Sequence, residues 1–260
     1  RARTLPGHDA ALFLHRLALS DLQERLGEIN RRFTTPAVVT GFPEIFGDLS
    51  PMRVVPDDDL IALEPNAHDL VVHGMSLHWA SDPIGQLVQC RRALRPDGLC
   101  LVVLPGGRSL QELRACLAEA EATVTGGLSP RVLPMGEIRD LGALMQRAGF
   151  ALPVADSLVQ TVEYRSFPAL LSDLRATGET NALAGRLRRF TRRSVLSEAA
   201  RIYAGSYSTP EGRLTATVEL VFLTGWAPHE SQQQPLRPGS ARARLADVLG
   251  VQEKPLPEDG

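Results

Sequence analysis

The sequence predicts an α/β fold built on a doubly wound, mostly parallel β-sheet with an antiparallel edge strand. Short apolar segments alternate with amphipathic segments through the first 150 of its 260 residues, which is the pattern of strand–helix–strand units. The run LCLVVL at 99–104 is continuously apolar, as expected of a strand that is buried on both faces. Two longer segments with strand character, 156–165 and 214–227, come late in the chain and supply the antiparallel edge.

Local signals place the elements of the first 150 residues. Apolar residues that recur at steps of three and four predict a helix over 8–33, and Thr35-Pro36 ends it. Asp82 is a suitable N-cap for a later helix, and Gly149 is a typical C-terminal glycine of another. Strands are predicted at 37–39, 52–55, 68–75 and 99–104, and helices at 43–49, 82–94, 106–122 and 135–150.

Three regions are expected along the chain. Residues 1–35 contain the N-terminal helix, and residues 36–227 form the sheet domain with a helical insertion around 167–205. Residues 228–260 are polar and rich in proline, which predicts a surface-hugging or mobile tail.

Composition and charge exclude several classes of function. The net charge of −2 provides no global attraction to nucleic acid or to anionic lipid. No apolar run approaches the roughly 18 residues of a membrane span, and the first residues lack the order of a signal peptide. Cys90, Cys100 and Cys116 are widely spaced, which favours buried thiols in a reducing compartment. We therefore expect a bacterial, cytoplasmic protein without a nucleic-acid partner or a membrane span.

Arginine supplies every basic residue except Lys254. Because the arginines are spread along the chain, codon usage in a GC-rich genome explains them better than selection for anion recognition does. One cluster, RLRRFTRR at 186–193, is either a docking patch or a solvated helix end, and the second interpretation is favoured.

Ligands on a doubly wound sheet bind beside the carboxyl ends of the strands. This rule directs attention to the loops that follow residues 39, 55, 73 and 104. Three histidines, His68, His73 and His78, recur near the loop after residue 73. His68 and His73 lie at opposite ends of one predicted strand, about 16 Å apart. No metal site is therefore expected, because metal ligands must converge.

The stretch HDLVVHGMSLHWASDPIGQLVQCRRALRPDGLCLVVLPGG resembles the middle of class I S-adenosylmethionine-dependent methyltransferases. Its segment SLHW is similar to the branch that contains malonyl-carrier-protein O-methyltransferase of biotin synthesis and the mitochondrial complex I assembly methyltransferase-like proteins. The segments GETNA and TGWAPHESQQQPLRPGSA resemble the complex I assembly members. The resemblance implies a Rossmann-like methyltransferase fold over roughly residues 10–245. Because the mitochondrial member is implicated in arginine hydroxylation, the fold does not settle the reaction.

The cofactor loop departs from the family pattern. An acidic residue and several glycines, D-x-G-x-G-x-G, are expected after the first strand, and this chain has VVTGFP at 38–43. Only Gly41 remains, and Phe42 would crowd the approach of a cofactor. The short spacing from Asp57–Asp59 to Asp69 leaves no room for another strand–helix pair, so the sheet should be reduced near strands two and three. The chain has therefore kept a shrunken cofactor pocket, or it has kept the fold and lost the cofactor.

The resemblance implies roles for particular residues. S-adenosylmethionine would be the cofactor, and its candidate contacts are Gly41, Asp57, Asp58, Asp59, Met75 and Ser76. His78 is the candidate catalytic base, and the alternative is a loop histidine that bonds to backbone. Trp79 and Arg108 are candidate substrate contacts. The alternatives are a packing role for Trp79 and a simple strand-to-helix turn around Arg108.

The expected function is that of a methyltransferase-like protein acting on a protein substrate, such as a complex I subunit, in complex I assembly. One alternative is a cofactor-less pseudo-methyltransferase that serves as an assembly chaperone or scaffold. A second is a small-molecule carboxyl O-methyltransferase. The oligomeric state does not follow from the sequence.

Overall fold

The computed structural model describes residues 8–49 and 52–233. The chain divides into two compact units, one ending at Pro228 and one beginning at His229. Most of the predicted tail, residues 234–260, lies outside the described residues. The strands are β1 (Pro36–Thr40), β2 (Arg53–Val55), β3 (His68–Gly74), β4 (Leu94–Pro105), β5 (Ala151–Tyr164) and β6 (Leu214–Trp226). The helices are α1 (His8–Ala11), α2 (Phe13–Glu28), α3 (Pro43–Phe46), α4 (Pro83–Ala93), α5 (Gln111–Thr125), α6 (Ile138–Arg147), α7 (Phe167–Ala176) and α8 (Arg193–Ser206).

The strands of the described residues form one sheet in the order β2-β1-β3-β4-β6-β5. The pairings β1–β2, β1–β3 and β3–β4 are parallel, whereas β6 runs antiparallel to both β4 and β5. The predicted mostly parallel sheet with an antiparallel edge is therefore confirmed. The antiparallel strand itself lies second from the edge, between β4 and β5.

Alternate side chains of the central strands enter two different cores. Val39 and Val71 pack on the face that is covered by α4 and α6, and Val38 and Val72 pack on the face that is covered by α2 and α3. Because both faces are covered, β1 and β3 are buried along their whole length, and β3 buries the polar side chains of His68, Asp69 and His73 as well as its apolar ones. No helix within the described ranges is long and apolar enough to cross a bilayer.

The reduced part of the fold is the segment of chain that connects β2 to β3. Residues 56–67 form an irregular loop without helix or strand, so this side of the sheet ends at β2. Farther along the chain, α7 and α8 pack with α5 and the start of β6 around a third core that includes Leu170, Ala199 and Tyr203. These helices lie beyond the carboxyl end of β4.

Two local predictions differ from the structure. The helix predicted over 8–33 is interrupted after α1, and α2 ends at Glu28 because Ile29 is extended. The strand predicted at 99–104 begins earlier in the structure, because β4 includes residues 94–98, where the register against β3 shifts and Asp97 takes a left-handed conformation with φ 61°. Both differences arise where tertiary packing overrides a local pattern.

Candidate functional site

The turn after β1 is closed by the chain's own side chains. A Cβ atom on Gly41 would lie 3.3 Å from Oδ1 of Asp57, so that carboxylate fills the direction a side chain would take. The next residue, Phe42, is buried, and its ring centroid lies 4.0 Å from that of His15 on α2. Thr40 accepts from the Phe42 amide and donates to the Gly74 carbonyl, which holds the turn against β3.

Phe46 of α3 fills the neighbouring space. A Cβ on Gly74, the last residue of β3, would lie 2.9 Å from the Phe46 ring. Phe46 is fully buried and belongs with Phe42 and Met75 to the core under α2. The glycine is thus needed for internal packing rather than for the approach of a ligand.

Two glutamines of α4 hold the acidic loop after β2. Gln86 donates to the carbonyl oxygens of Asp57 and Asp58, at 3.3 and 3.1 Å, and Gln89 donates to that of Asp59 at 2.9 Å. The Asp57 side chain is buried, whereas Asp58 and Asp59 are exposed. Of the three carboxylates, only that of Asp57 therefore packs against the turn after β1.

Met75 and Ser76 follow β3. Met75 has a left-handed φ of 51°, and its side chain is buried in the core under α2. Ser76 is 1% exposed, and its Oγ has no hydrogen-bond partner among the described residues. Of the candidate cofactor contacts, Ser76 thus offers a buried polar atom with unused bonding capacity.

His78, Trp79 and Glu179 form a polar cluster at the carboxyl edge of the sheet. His78 Nε2 donates to Glu179 Oε1 at 3.0 Å, and Trp79 Nε1 donates to the same oxygen at 3.2 Å. Burial opposes ionisation of Glu179, but the bond and charge of His78 and the bond from Trp79 outweigh it and lower its pKa. The carboxylate is therefore ionised at neutral pH and acts as the acceptor.

The side chain of His78 is only 4% exposed, and its Nδ1 is buried without a partner among the described residues. Because Nε2 donates to Glu179, a neutral His78 keeps Nδ1 as a free acceptor. The alternative of a loop histidine bonded to backbone does not describe this geometry. A carboxylate that orients an imidazole is an arrangement suited to proton transfer or to holding a hydrogen-bond donor.

A cavity of about 470 Å³ opens beside this cluster. Its wall is mostly aliphatic and comes from α5, α7, α8 and the loops at 131–135 and 179–183. The aliphatic residues are Leu110, Leu113, Leu117, Val132, Leu133, Met135, Leu171, Leu174, Ala182, Leu183 and Leu196. The lining also includes Arg131, Arg175, Thr180, Asn181 and Thr191. A mostly apolar cavity of this size with several polar groups has the character of a binding site.

Arg108 lies elsewhere. Its side chain is exposed and does not line the cavity, and its backbone amide donates to the buried Glu219 carboxylate at 3.0 Å. Cβ atoms on Gly106 and Gly107 would lie 2.6 and 2.4 Å from carboxylate oxygens of Glu219 and Glu137. Internal packing thus explains both glycines of this turn.

The structure brings His78 and Trp79 together with Glu179, a residue for which the sequence predicts no role. Glu179 follows His78 by 101 residues, in the GETNA segment between α7 and α8. The only signal that could have found it was the resemblance of that segment to the complex I assembly branch. Among the described residues, no group of three His, Cys, Asp or Glu side chains is placed to hold a metal ion.

S-adenosylmethionine, bound as the family resemblance implies, would need space against the glycine turn after β1. Here that space meets the Asp57 carboxylate, and the adjoining positions hold the buried rings of Phe42 and Phe46. The chain continues directly into the short α3, with Pro43 at its first position, and does not repeat the glycines of the family pattern. The residues present do not reproduce the cofactor cradle.

Comparison with curated proteins identifies two groups of relatives. Over 204 residues the chain is 34% identical to the arginine-hydroxylase NDUFAF5 of Danio rerio, covering 78% of this chain and 63% of the relative. The human NDUFAF5 is 34% identical over 201 residues, 77% of this chain and 58% of the relative. The malonyl-[acyl-carrier protein] O-methyltransferase of Laribacter hongkongensis is 30% identical over 190 residues, 73% and 61% of the two chains. The chain thus spans less than two thirds of these relatives' length, and no protein-family model matches it.

Solved structures agree on the fold. The candidate methyltransferase BH2331 of Bacillus halodurans superposes with a TM-score of 0.50 at 12% identity, over 81% of this chain and 99% of that one. The YcgJ protein of Bacillus subtilis gives a TM-score of 0.52 at 11% identity, over 83% and 100%. The protein is a homologue of the arginine-hydroxylase NDUFAF5 proteins and, more distantly, of malonyl-[acyl-carrier protein] O-methyltransferases, with the Rossmann-like fold of class I methyltransferases.

Proposed function

We propose that this protein is a methyltransferase-like assembly factor that holds a protein partner and does not use S-adenosylmethionine. The observation that carries the proposal is the turn after β1, where the Asp57 carboxylate packs against Gly41 and the rings of Phe42 and Phe46 are buried beside it. Its homology to the NDUFAF5 proteins supports a partner in complex I assembly, such as a complex I subunit.

Calorimetric titration with S-adenosylmethionine and S-adenosylhomocysteine tests the first half of the proposal. We expect no binding heat from either compound with the full chain. A malonyl-[acyl-carrier protein] O-methyltransferase titrated under the same conditions is the positive control. Saturable binding of either compound would contradict the proposal and favour the methyltransferase function instead.

The cavity beside His78 and Glu179 is the proposed contact with the partner. Its aliphatic wall accepts apolar side chains, and the Nδ1 atom of His78 accepts a hydrogen bond from a donor on the partner. Ala182 is exposed and lines the cavity, whereas Ala184 is exposed and does not. These two alanines therefore provide a matched pair of substitutions.

The Ala182→Trp variant should place an indole in the cavity without disturbing the core. We expect it to lose complex I subunits from affinity-purified material, as quantified by mass spectrometry. The Ala184→Trp variant should retain them. Equal recovery of these subunits by both variants would argue against the cavity as the contact.

A SAM-dependent methyltransferase is the second candidate. The unpartnered Oγ of the buried Ser76 and the acidic loop beside Gly41 favour it, since both lie at the expected cofactor edge. If the calorimetric titration shows binding, His78→Ala becomes the next test. A fall in the turnover number with an unchanged cofactor affinity would assign His78 to the chemistry, and unchanged turnover would remove it.

The proposed location is the cytoplasm. Cys90, Cys100 and Cys116 are free and buried in the structure. This arrangement supports a reducing compartment, where thiols stay unpaired.

A further inference from the structure

The loop between α7 and α8 carries the segment RLRRFTRR, residues 186–193, here called the basic loop. Phe190 is 100% exposed, and Leu187, three residues earlier, is 37% exposed. A fully exposed aromatic side chain is uncommon on a folded protein, because water contact with its ring is unfavourable. Its ring is the most exposed of the large apolar side chains that the structure describes.

Five arginines surround Phe190 in the basic loop: Arg186, Arg188, Arg189, Arg192 and Arg193. Arg186 donates to the carbonyl of Leu183 at 2.9 Å, and the other four are exposed. None of the five forms a salt bridge with a carboxylate of the described residues. Although the chain has a net charge of −2, this loop is a compact site of positive charge.

The basic loop is held in place at its base. Arg131 Nη1 donates to Thr191 Oγ1 at 2.9 Å, and Arg131 is itself paired with the buried Glu121 at 2.7 Å. Val195, in the first turn of α8, is buried in the third core. Phe190 is thus presented to solvent from a fixed point on the domain.

We propose that the basic loop docks on an anionic phospholipid surface, with Phe190 inserted at the level of the head groups. Arginines are attracted to acidic head groups, and each one near the surface adds to the attraction. An aromatic ring among basic residues is the composition of peripheral membrane-binding segments.

An acidic protein partner is a poorer fit to the same residues. Protein interfaces are built around a packed apolar core. Here Phe190 is uncovered on all sides, and only Leu187 adds apolar surface within the loop. A bilayer interface accepts a single inserted ring, with the arginines remaining at the charged surface.

Co-sedimentation of the full chain with lipid vesicles tests the proposal. We expect binding to phosphatidylserine-containing vesicles, little binding to pure phosphatidylcholine vesicles, and loss of binding at high salt. The double variant Arg188→Glu and Arg189→Glu should weaken binding by about tenfold or more, given the contribution of each charge. Arg139→Glu with Arg165→Glu makes the same charge change at exposed positions elsewhere and should bind like the wild type.

Insertion has a direct readout. Because the three native cysteines are buried, Phe190→Cys provides one accessible thiol for an environment-sensitive fluorophore. Its emission should shift to the blue with anionic vesicles, whereas a label at Leu60→Cys, a position 83% exposed after β2, should not shift. Absence of anionic vesicle binding, or equal loss in both charge-reversal variants, would overturn the proposal. Complete competition by polyglutamate with no shift at residue 190 would assign the loop to an acidic protein instead.

Discussion

His73 lies fully buried in the middle of the sheet, where its protonation state matters for stability. Burial lowers its pKa to about 4, opposed by its bond to Gln86 and by the charge of Asp57, while the charge of His78 lowers it further. Its Nε2 lies 2.9 Å from Gln86 Oε1, an acceptor, so the neutral ring carries its proton on Nε2.

The lowered pKa of His73 predicts a loss of stability in acid. Between pH 6.5 and about pH 4 the unfolded chain binds a proton at this histidine that the folded chain does not bind, so stability falls as pH falls. The loss approaches about 3 kcal/mol for one such group. Urea unfolding across this pH range measures it. In His73→Gln the dependence of the unfolding free energy on pH should be weaker, by the uptake of one proton. An unchanged pH dependence would show that another group is responsible.

Glu179 is the residue on which the polar cluster depends. Glu179→Ala would leave His78 Nε2 and Trp79 Nε1 without their acceptor in a largely buried place. We expect the free energy of unfolding to fall by about 1–3 kcal/mol. Glu179→Gln keeps an acceptor oxygen and should lose less. Urea denaturation of both variants measures these changes in the free energy of unfolding. Equal losses in the two variants would mean that the two hydrogen bonds contribute little.

At the scale of elements, α3 and β3 meet through one glycine. Gly74→Ala would place a Cβ 2.9 Å from the buried Phe46 ring, and we expect a cost of about 1–3 kcal/mol from overpacking. Gly27→Ala in α2 meets no atom within 4 Å, and should be neutral or stabilising by up to about 1 kcal/mol. Thermal unfolding compares the two variants. A neutral Gly74→Ala would show that α3 can move away from β3 and open the cofactor edge.

At the scale of the whole molecule, Arg25 fastens the N-terminal helix across the sheet. It donates to both carboxylate oxygens of Asp156 on β5, at 2.8 and 2.6 Å, and its guanidinium lies 4.1 Å from the centre of the Phe222 ring. The pair is partly exposed, so Arg25→Met should cost only about 1–2 kcal/mol. The exposed pair of Arg16 and Asp9 is the control, and Arg16→Met should change stability by less than about 0.5 kcal/mol. Chemical denaturation separates these outcomes, and similar losses would remove the special role of Arg25.

Much of the fold was readable from local patterns. The apolar residues at 37–39, in the middle of 68–75 and at 99–104 located β1, β3 and the second half of β4, because a strand covered on both faces needs an apolar centre. The helix predicted over 8–33 was too long. Ile29 and Phe33 still pack against the core after α2 has ended, so their spacing could not distinguish helix from extended chain.

The sequence by itself determined the α/β class, the single glycine, Gly41, in the turn after β1, and the position of His78 at the carboxyl edge of β3. These features depend on residues that are neighbours along the chain. Only the tertiary structure showed that Asp57 packs against that turn and that Glu179 completes the cluster with His78 and Trp79. The reason is physical: a partner 101 residues away leaves no periodic or local signal, and it reaches His78 only when α7 and α8 pack beside the sheet.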